Sequence, residues 1–131
     1  KTNFEKVVEF HSYAGVANIT ETKPTWPDET TRELRIRLIQ EELQELQEAI
    51  QDENIVEVAD ALSDLLYVVY GAGHCFGLNL DETFAEVHRS NMTKFPNGQV
   101  LRREDGKIMK TASWEPTNIA KIIDESLVKS D

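Results

Sequence analysis

Apolar residues recur at intervals of three and four along most of the chain, which is the period of an amphipathic α-helix. The repeat begins at Phe4, Val7 and Val8 and predicts a first helix over residues 3–17. The next stretch is rich in Leu, Glu and Gln, which are strong helix formers. The pattern predicts four further helices, over residues 29–52, 55–76, 82–95 and 117–128.

Helix-breaking residues separate these segments. Pro24 and Pro27 surround Trp26 between the first two predicted helices. Asp81 is expected to cap the N-terminus of the fourth helix, and Pro96 is expected to end it.

One segment near the C-terminus has a different pattern. Residues 99–103 and 107–111 flank a Glu-Asp-Gly sequence, and Gly106 suits the positive φ of a hairpin turn.

The pattern as a whole predicts an all-α fold, a bundle of about four to five helices with a short β-hairpin near the C-terminus. Residues 1–131 are expected to form a single domain.

The second and third predicted helices carry acidic residues in unusual places. With 100° per residue, Glu42 and Glu45 fall inside the apolar arc of the second helix, whereas a solvated charged face would lie opposite that arc. The third helix is mostly apolar and carries a narrow acidic stripe of Glu57, Asp60 and Asp64. A short break joins the two helices, so we expect antiparallel neighbours whose acidic stripes face each other.

Charge is distributed unevenly. The 131 residues carry a net charge of −10, which argues against a general nucleic-acid binder. Residues 89–110 nevertheless hold six basic residues against two acidic ones, so this segment is positive. The single cysteine, Cys75, excludes an intramolecular disulfide and fits the reducing cytoplasm. No apolar run is long enough for a membrane span, and no membrane partner is expected.

The facing carboxylates would repel one another unless they were protonated or bound cations. Oxygen ligands without cysteine or nearby histidine suit Mg²⁺, with Mn²⁺ as a possible substitute. Mg²⁺ held by carboxylates commonly also binds substrate phosphates, and the basic segment could supply further phosphate contacts. The alternative is a non-catalytic helical scaffold whose acidic residues form an ordinary solvated face.

The sequence resembles the all-α nucleoside triphosphate pyrophosphohydrolases, and within them the MazG-like branch that includes phosphoribosyl-ATP pyrophosphohydrolases. The resemblance covers roughly residues 4–120. It rests on EELQE at 41–45, EVAD at 57–60, DALSDLLY at 60–67, VHRSNMTK at 87–94 and DGKIMK at 105–110, with Trp114 and Pro116 after them.

This resemblance implies hydrolysis between the α- and β-phosphates of a nucleoside triphosphate, releasing a monophosphate and pyrophosphate. It implies that Glu41 orients the attacking water. The implied Mg²⁺ ligands are Glu42, Glu45, Glu57 and Asp60. The implied substrate contacts are Asn91, Lys94, Lys107 and Lys110. It also implies a homo-oligomer, a homodimer or homotetramer.

Three further residues have two interpretations each. Arg35 either contacts substrate or forms a structural ion pair with Glu42 or Glu45. Asp64 either adds a metal ligand or sugar contact or serves in capping or core pairing. Tyr67 either stacks on or hydrogen-bonds the nucleotide base or has no contact with it. The expected role is removal of noncanonical or excess nucleotides, with a phosphoribosyl-ATP pyrophosphohydrolase of histidine biosynthesis as the alternative.

Overall fold

A computed structural model of the 131-residue chain describes residues 1–16 and 23–129. Across these residues the fold is all-helical, with five α-helices, one 3₁₀ turn at Pro96–Gly98 and no β-strand. The helices are α1 (Asn3–Ala14), α2 (Glu29–Gln51), α3 (Ile55–Cys75), α4 (Leu80–Met92) and α5 (Ile119–Lys129). The predicted all-α fold is confirmed.

Helix ends follow local side-chain chemistry. Thr2 caps α1 in a capping box with Glu5, and Gly15 ends the helix with a φ of 71°. The first helix therefore stops before the predicted residue 17, which lies outside the described residues. Asp28 caps α2 and Asn54 caps α3, each accepting a backbone hydrogen bond from the first helical turn.

The predicted boundaries of α4 were wrong by a few residues. Asn79, not Asp81, is the N-cap, and its side chain accepts hydrogen bonds from the backbone nitrogens of Asp81 and Glu82. At the other end, the helix stops at Met92, and a turn follows in which Thr93 donates its backbone N–H to Ser90. The helix therefore ends before Pro96 could interrupt it.

The predicted β-hairpin is reduced to a turn with a single bridge. Arg102 and Ile108 form an isolated antiparallel bridge, and Gly106 has a φ of 88° as the turn requires. The side chain of Leu101 is half exposed. A two-stranded ribbon without a packed face is marginal, so this segment turns back on itself without becoming a strand.

The central unit is the pair α2 and α3, packed side by side as antiparallel neighbours, as the sequence predicted. Helix α1 packs on α3, with Phe4 and Val7 buried, and α5 packs on α4. Ala49 on α2 and Ala61 on α3 are buried. Their small side chains allow the two helices to approach each other closely.

Large apolar side chains remain exposed on the outer faces of the central pair. They form one stripe on each helix, Ile36, Leu43 and Ile50 on α2 and Leu62, Leu66 and Val69 on α3. Contiguous exposed apolar surface of this kind commonly marks an interaction site. None of the helices among the described residues combines the length and the hydropathy needed to cross a membrane.

Candidate active site

Three carboxylates meet between α2 and α3. One oxygen from each of Glu42, Glu45 and Asp64 lies within 4.8 Å of the others. Glu42 and Glu45 are one turn apart on α2, and Asp64 reaches them from α3 because the two helices are antiparallel. The approach of acidic stripes that the sequence predicted is therefore present in the fold.

Burial and mutual repulsion raise the proton affinity of this cluster. Burial raises the pKa of Glu42 to about 7, together with a hydrogen bond shared with Glu45 and the negative charges of Glu45, Asp64 and Asp60. Burial also raises the pKa of Asp64, with smaller contributions from Asp60 and Glu45. Asp60 thus lies close enough to belong to the same electrostatic site.

The donors of the cluster fit a hard divalent cation. All of them are carboxylate oxygens, which Mg²⁺ and Mn²⁺ prefer. The Oε2 atom of Glu42 is buried and has no hydrogen-bond partner among the described residues. A buried acceptor left without a partner costs free energy, and a cation would remove that cost.

Glu57 lies at a different level of the site from Asp64. It lines a cavity of about 350 Å³ at the loop end of the two helices, where Glu45, Glu48 and Asp60 also contribute. Asp64 is two turns further along α3 and faces Glu42. The sequence predicted Glu57 and Asp64 on the same face of α3. Helical periodicity predicts which face a side chain occupies, but it does not predict which residues of α2 lie opposite it.

Glu41 lies at the outer edge of the site. Its side chain is exposed and lines an open cavity of about 420 Å³ that Glu45 also borders, together with Arg37 and two glutamines of α2. Glu41 is thus beside the carboxylate cluster and open to water. Among the described residues its side chain forms no hydrogen bond or ion pair.

Arg35 is not paired with the carboxylates. It is buried between the helices, and a Cβ atom placed on Gly71 would lie 3.2 Å from its Nη1 atom and 3.2 Å from Nε2 of His11. Within residues 1–16 and 23–129 it forms no ion pair with Glu42 or Glu45, and its Nε atom has no hydrogen-bond partner. The structural ion pair considered from the sequence is therefore absent from the described residues.

Tyr67 lies one turn beyond Asp64 and is 41% exposed. Phe10 of α1 packs edge-on against it, with ring centroids 5.6 Å apart. Tyr67 also borders a groove of about 230 Å³ between α1 and α3. Its ring faces α1 in this groove, and the substrate contact stays a prediction.

The predicted substrate contacts of the basic segment lie on other elements of the fold. Asn91 is at the end of α4, Lys94 follows it, and Lys107 and Lys110 are on the loop before α5. In the part of the chain that the structure describes, none of these four side chains forms a hydrogen bond or ion pair with the acidic cluster. Lys110 instead lies 4.1 Å over the ring of Trp114.

The sequence did not reveal how this basic loop is held. Arg89 forms a bidentate ion pair with Glu86 and a further hydrogen bond to Glu115, 3.0 Å away. Ser90 donates a hydrogen bond to the carbonyl of Glu115, and Asn118 donates its backbone N–H to Glu86. The sequence signal was present in the His-Arg-Ser-Asn run, but charge and spacing alone do not identify a partner 26 residues away.

A second feature that the sequence missed is a buried histidine pair. The Nδ1 atoms of His11 and His74 are 2.7 Å apart, and both side chains are buried between α1 and α3. A lone histidine at an apolar helical position gives no indication of its partner, so only the fold could bring the two together.

The all-helical fold and the carboxylate cluster between α2 and α3 agree with the MazG-like superfamily of all-α nucleoside triphosphate pyrophosphohydrolases. Residues 7–91 match the model of the phosphoribosyl-ATP pyrophosphohydrolase family. The chain belongs to that family.

One relative is an uncharacterized protein, L479, of Acanthamoeba polyphaga mimivirus. It is 44% identical over 128 residues, a match that covers 95% of this chain and 49% of the viral protein. The chain thus spans about half the length of this relative.

Proposed function

We propose that this chain hydrolyses nucleoside triphosphates between the α- and β-phosphates, releasing a nucleoside monophosphate and pyrophosphate. The observation that carries the proposal is the cluster of Glu42, Glu45 and Asp64, whose oxygens lie within 4.8 Å of one another around a buried, unpartnered oxygen of Glu42. Family membership supports the reaction class, a phosphoanhydride hydrolase.

Glu42, Glu45 and Asp60 would hold Mg²⁺, with Asp64 as a further ligand because it faces Glu42. Glu57, from the adjoining cavity, completes the proposed set. The chemistry that such an ion supplies is neutralisation of the charge on the phosphate oxygens.

Glu41 is proposed to accept a proton from the attacking water, since it is exposed beside the cluster. Tyr67 would contact the sugar or base end of the nucleotide. Arg35, Asn91, Lys94, Lys107 and Lys110 complete the set of proposed substrate contacts.

The basic residues would reach the phosphates in an assembled homo-oligomer, a homodimer or homotetramer. The exposed apolar stripes on α2 and α3 support such an assembly. The free, buried thiol of Cys75 supports a reducing, cytoplasmic location.

The direct test is product analysis with a panel of (d)NTPs and Mg²⁺. We expect a monophosphate and pyrophosphate as primary products, and loss of activity in the Glu42→Gln variant. A diphosphate with orthophosphate would overturn the proposed position of attack. Phosphoribosyl-ATP belongs in the same panel as the second candidate substrate, because the matched family carries that name.

A further inference from the structure

The buried pair of His11 and His74 joins α1 to α3 through one shared proton. Their Nδ1 atoms are 2.7 Å apart, so one ring must donate the proton and the other must accept it. Each side chain is at most 3% exposed. If both Nδ1 atoms carried a proton, two donors would face each other. The hydrogen bond between the rings therefore requires one Nδ1 atom to be unprotonated.

The surroundings of the pair disfavour a positive charge. From α2, the Arg35 guanidinium lies beside His11, close to Gly71. From α3, His74 itself faces His11, and Cys75, the next residue in the chain, is also buried. Burial lowers the pKa of His11 to about 4, with the nearby His74 and Arg35 adding to the effect.

The residue before His11 connects this pair to the candidate site. Phe10 packs edge-on against Tyr67, with an interplanar angle of 81°, and Tyr67 lies one turn beyond Asp64 on α3. Phe10 is a residue of α1 and is 54% exposed, so it contacts Tyr67 only when α1 is docked on α3. Docking of α1 therefore sets one wall beside Tyr67.

We propose that His11 and His74 form a proton-controlled latch that holds α1 on α3 and thereby positions Phe10 against Tyr67. His11 is then a positioning residue, and its effect on substrate rests on the proposed function of the site. The latch itself does not depend on that function, because it concerns the docking of α1 in the free protein.

Proton linkage gives the expected result. When α1 opens, His11 meets water and regains an ordinary pKa near 6.5, whereas in the docked state its pKa is about 4. Acid therefore favours the open state between these two pH values. We expect the opening equilibrium of α1, measured by amide hydrogen exchange corrected for intrinsic rates, to be about thirtyfold larger at pH 5 than at pH 7.5.

Two matched variants of the full chain test the mechanism. His11→Asn keeps a polar nitrogen near the Nδ1 position and removes the titration, so the thirtyfold response of α1 should largely disappear. His88→Asn changes an exposed histidine on α4 and should keep the full response. Equal pH responses in the wild type and His11→Asn would overturn the latch.

If His11→Asn does not fold, the imidazole nitrogens of the wild type decide the matter by ¹⁵N NMR at neutral pH. We expect one protonated and one bare Nδ1 in the pair. Two protonated or two bare Nδ1 atoms would contradict the shared proton.

The effect on substrate is tested separately with Phe10→Ala. With a nucleoside triphosphate and Mg²⁺, we expect KM to rise about tenfold with little change in kcat, while Tyr13→Ala, at an 88% exposed aromatic residue of α1, keeps wild-type kinetics. Unchanged kinetics in Phe10→Ala would overturn the positioning role. A wild type that hydrolyses no nucleotide would refute the proposed function, while the exchange result would still stand for the latch.

Discussion

At the scale of single residues, the clearest signal is the conflict between Glu42 and its surroundings. A partly buried carboxylate that lies beside other carboxylates is costly in the absence of a cation. Burial and the neighbouring carboxylates raise the pKa of Glu42 to about 7, in the direction that such crowding requires. Such an arrangement destabilises the free protein, and proteins retain it at sites where a ligand compensates.

Removing one charge from the cluster should separate stability from activity. We expect Asp64→Asn and Asp60→Asn to be inactive, yet at least as stable as the wild type in metal-free buffer, because repulsion is relieved. Mg²⁺ at one hundred times its Kd should stabilise the wild type by about 2.7 kcal/mol and the variants much less. Thermal unfolding with and without Mg²⁺ provides the measurement.

Glu48→Gln is the matched control for this experiment. Glu48 lies on the same helix at the rim of the adjoining cavity, outside the closest group of carboxylates. It should keep the wild-type response to Mg²⁺. Equal Mg²⁺ responses in the wild type and in Asp64→Asn would exclude Asp64 as a ligand.

The lysines of the basic segment are expected to act through binding. Lys94→Ala and Lys107→Ala should raise KM more than they lower kcat, because they contact phosphates and do not activate water. A lost charge-assisted contact costs roughly 1.5–3 kcal/mol, which corresponds to about a tenfold to hundredfold change in KM. Lys121→Ala on α5 is the control, and wild-type kinetics in all three variants would show that the loop is structural.

At the scale of helices, the sequence predicted what depends on local chemistry and periodicity. The five helices and the antiparallel α2–α3 pair followed from spacing and from helix formers such as Leu and Glu. Asn79 and Asp81 are equally good N-cap residues by type, so the sequence does not distinguish them. The prediction of Asp81 was therefore wrong by two residues, and Asn79 is the N-cap of α4. The hairpin was over-predicted because turn residues such as Gly106 fix a reversal of the chain and not a packed ribbon.

The candidate site was predictable in its composition and less so in its geometry. Glu42 and Glu45 were identified because they interrupt an apolar arc, and the cluster contains both. The level of Asp64 opposite Glu42 depends on how α3 slides along α2, which single-helix periodicity does not contain. The location of Lys107 and Lys110 depends on the contacts of Arg89 with Glu86 and Glu115, which we call the Arg89 clasp. The contact between Arg89 and Glu115 is long-range, and no local sequence pattern encodes it.

That clasp makes its own prediction for α5. The Arg89 guanidinium and the backbone N–H of Asn118 hold the pKa of Glu86 at about 2, below its ordinary value of 4.5. Because the folded-state pKa is lowered, this contribution to stability is complete above about pH 4.5 and is lost as the pH falls through about 2. Arg89→Met should speed amide exchange over residues 113–129 by roughly tenfold, and leave α2 unchanged. Exchange at the wild-type rate would show that α5 does not depend on the clasp.

At the scale of the whole molecule, the fold leaves its central helices incompletely covered. Helix α3 is the most apolar element, yet the side chains of its stripe, Leu62, Leu66 and Val69, are 46%, 53% and 39% exposed. A single copy of the chain therefore presents apolar surface beside a negatively charged site. Its basic loop is held against α4 by the Arg89 clasp. A second copy could cover the stripe and bring cationic side chains toward the carboxylates.

This arrangement predicts that assembly and activity are lost together. We expect the full chain to be a homodimer or homotetramer by light scattering, and Leu66→Glu to dissociate it, because a charge in a buried apolar interface is strongly unfavourable. The dissociated variant should keep its helical content and lose most of its pyrophosphate release, since the phosphate contacts would then be incomplete. Val128→Glu, at an apolar residue of α5 that is 75% exposed, is the matched control and should remain assembled and active. A monomeric wild type with full activity would show that one copy supplies the whole site, and the basic loop would then have to reach the carboxylates of its own chain.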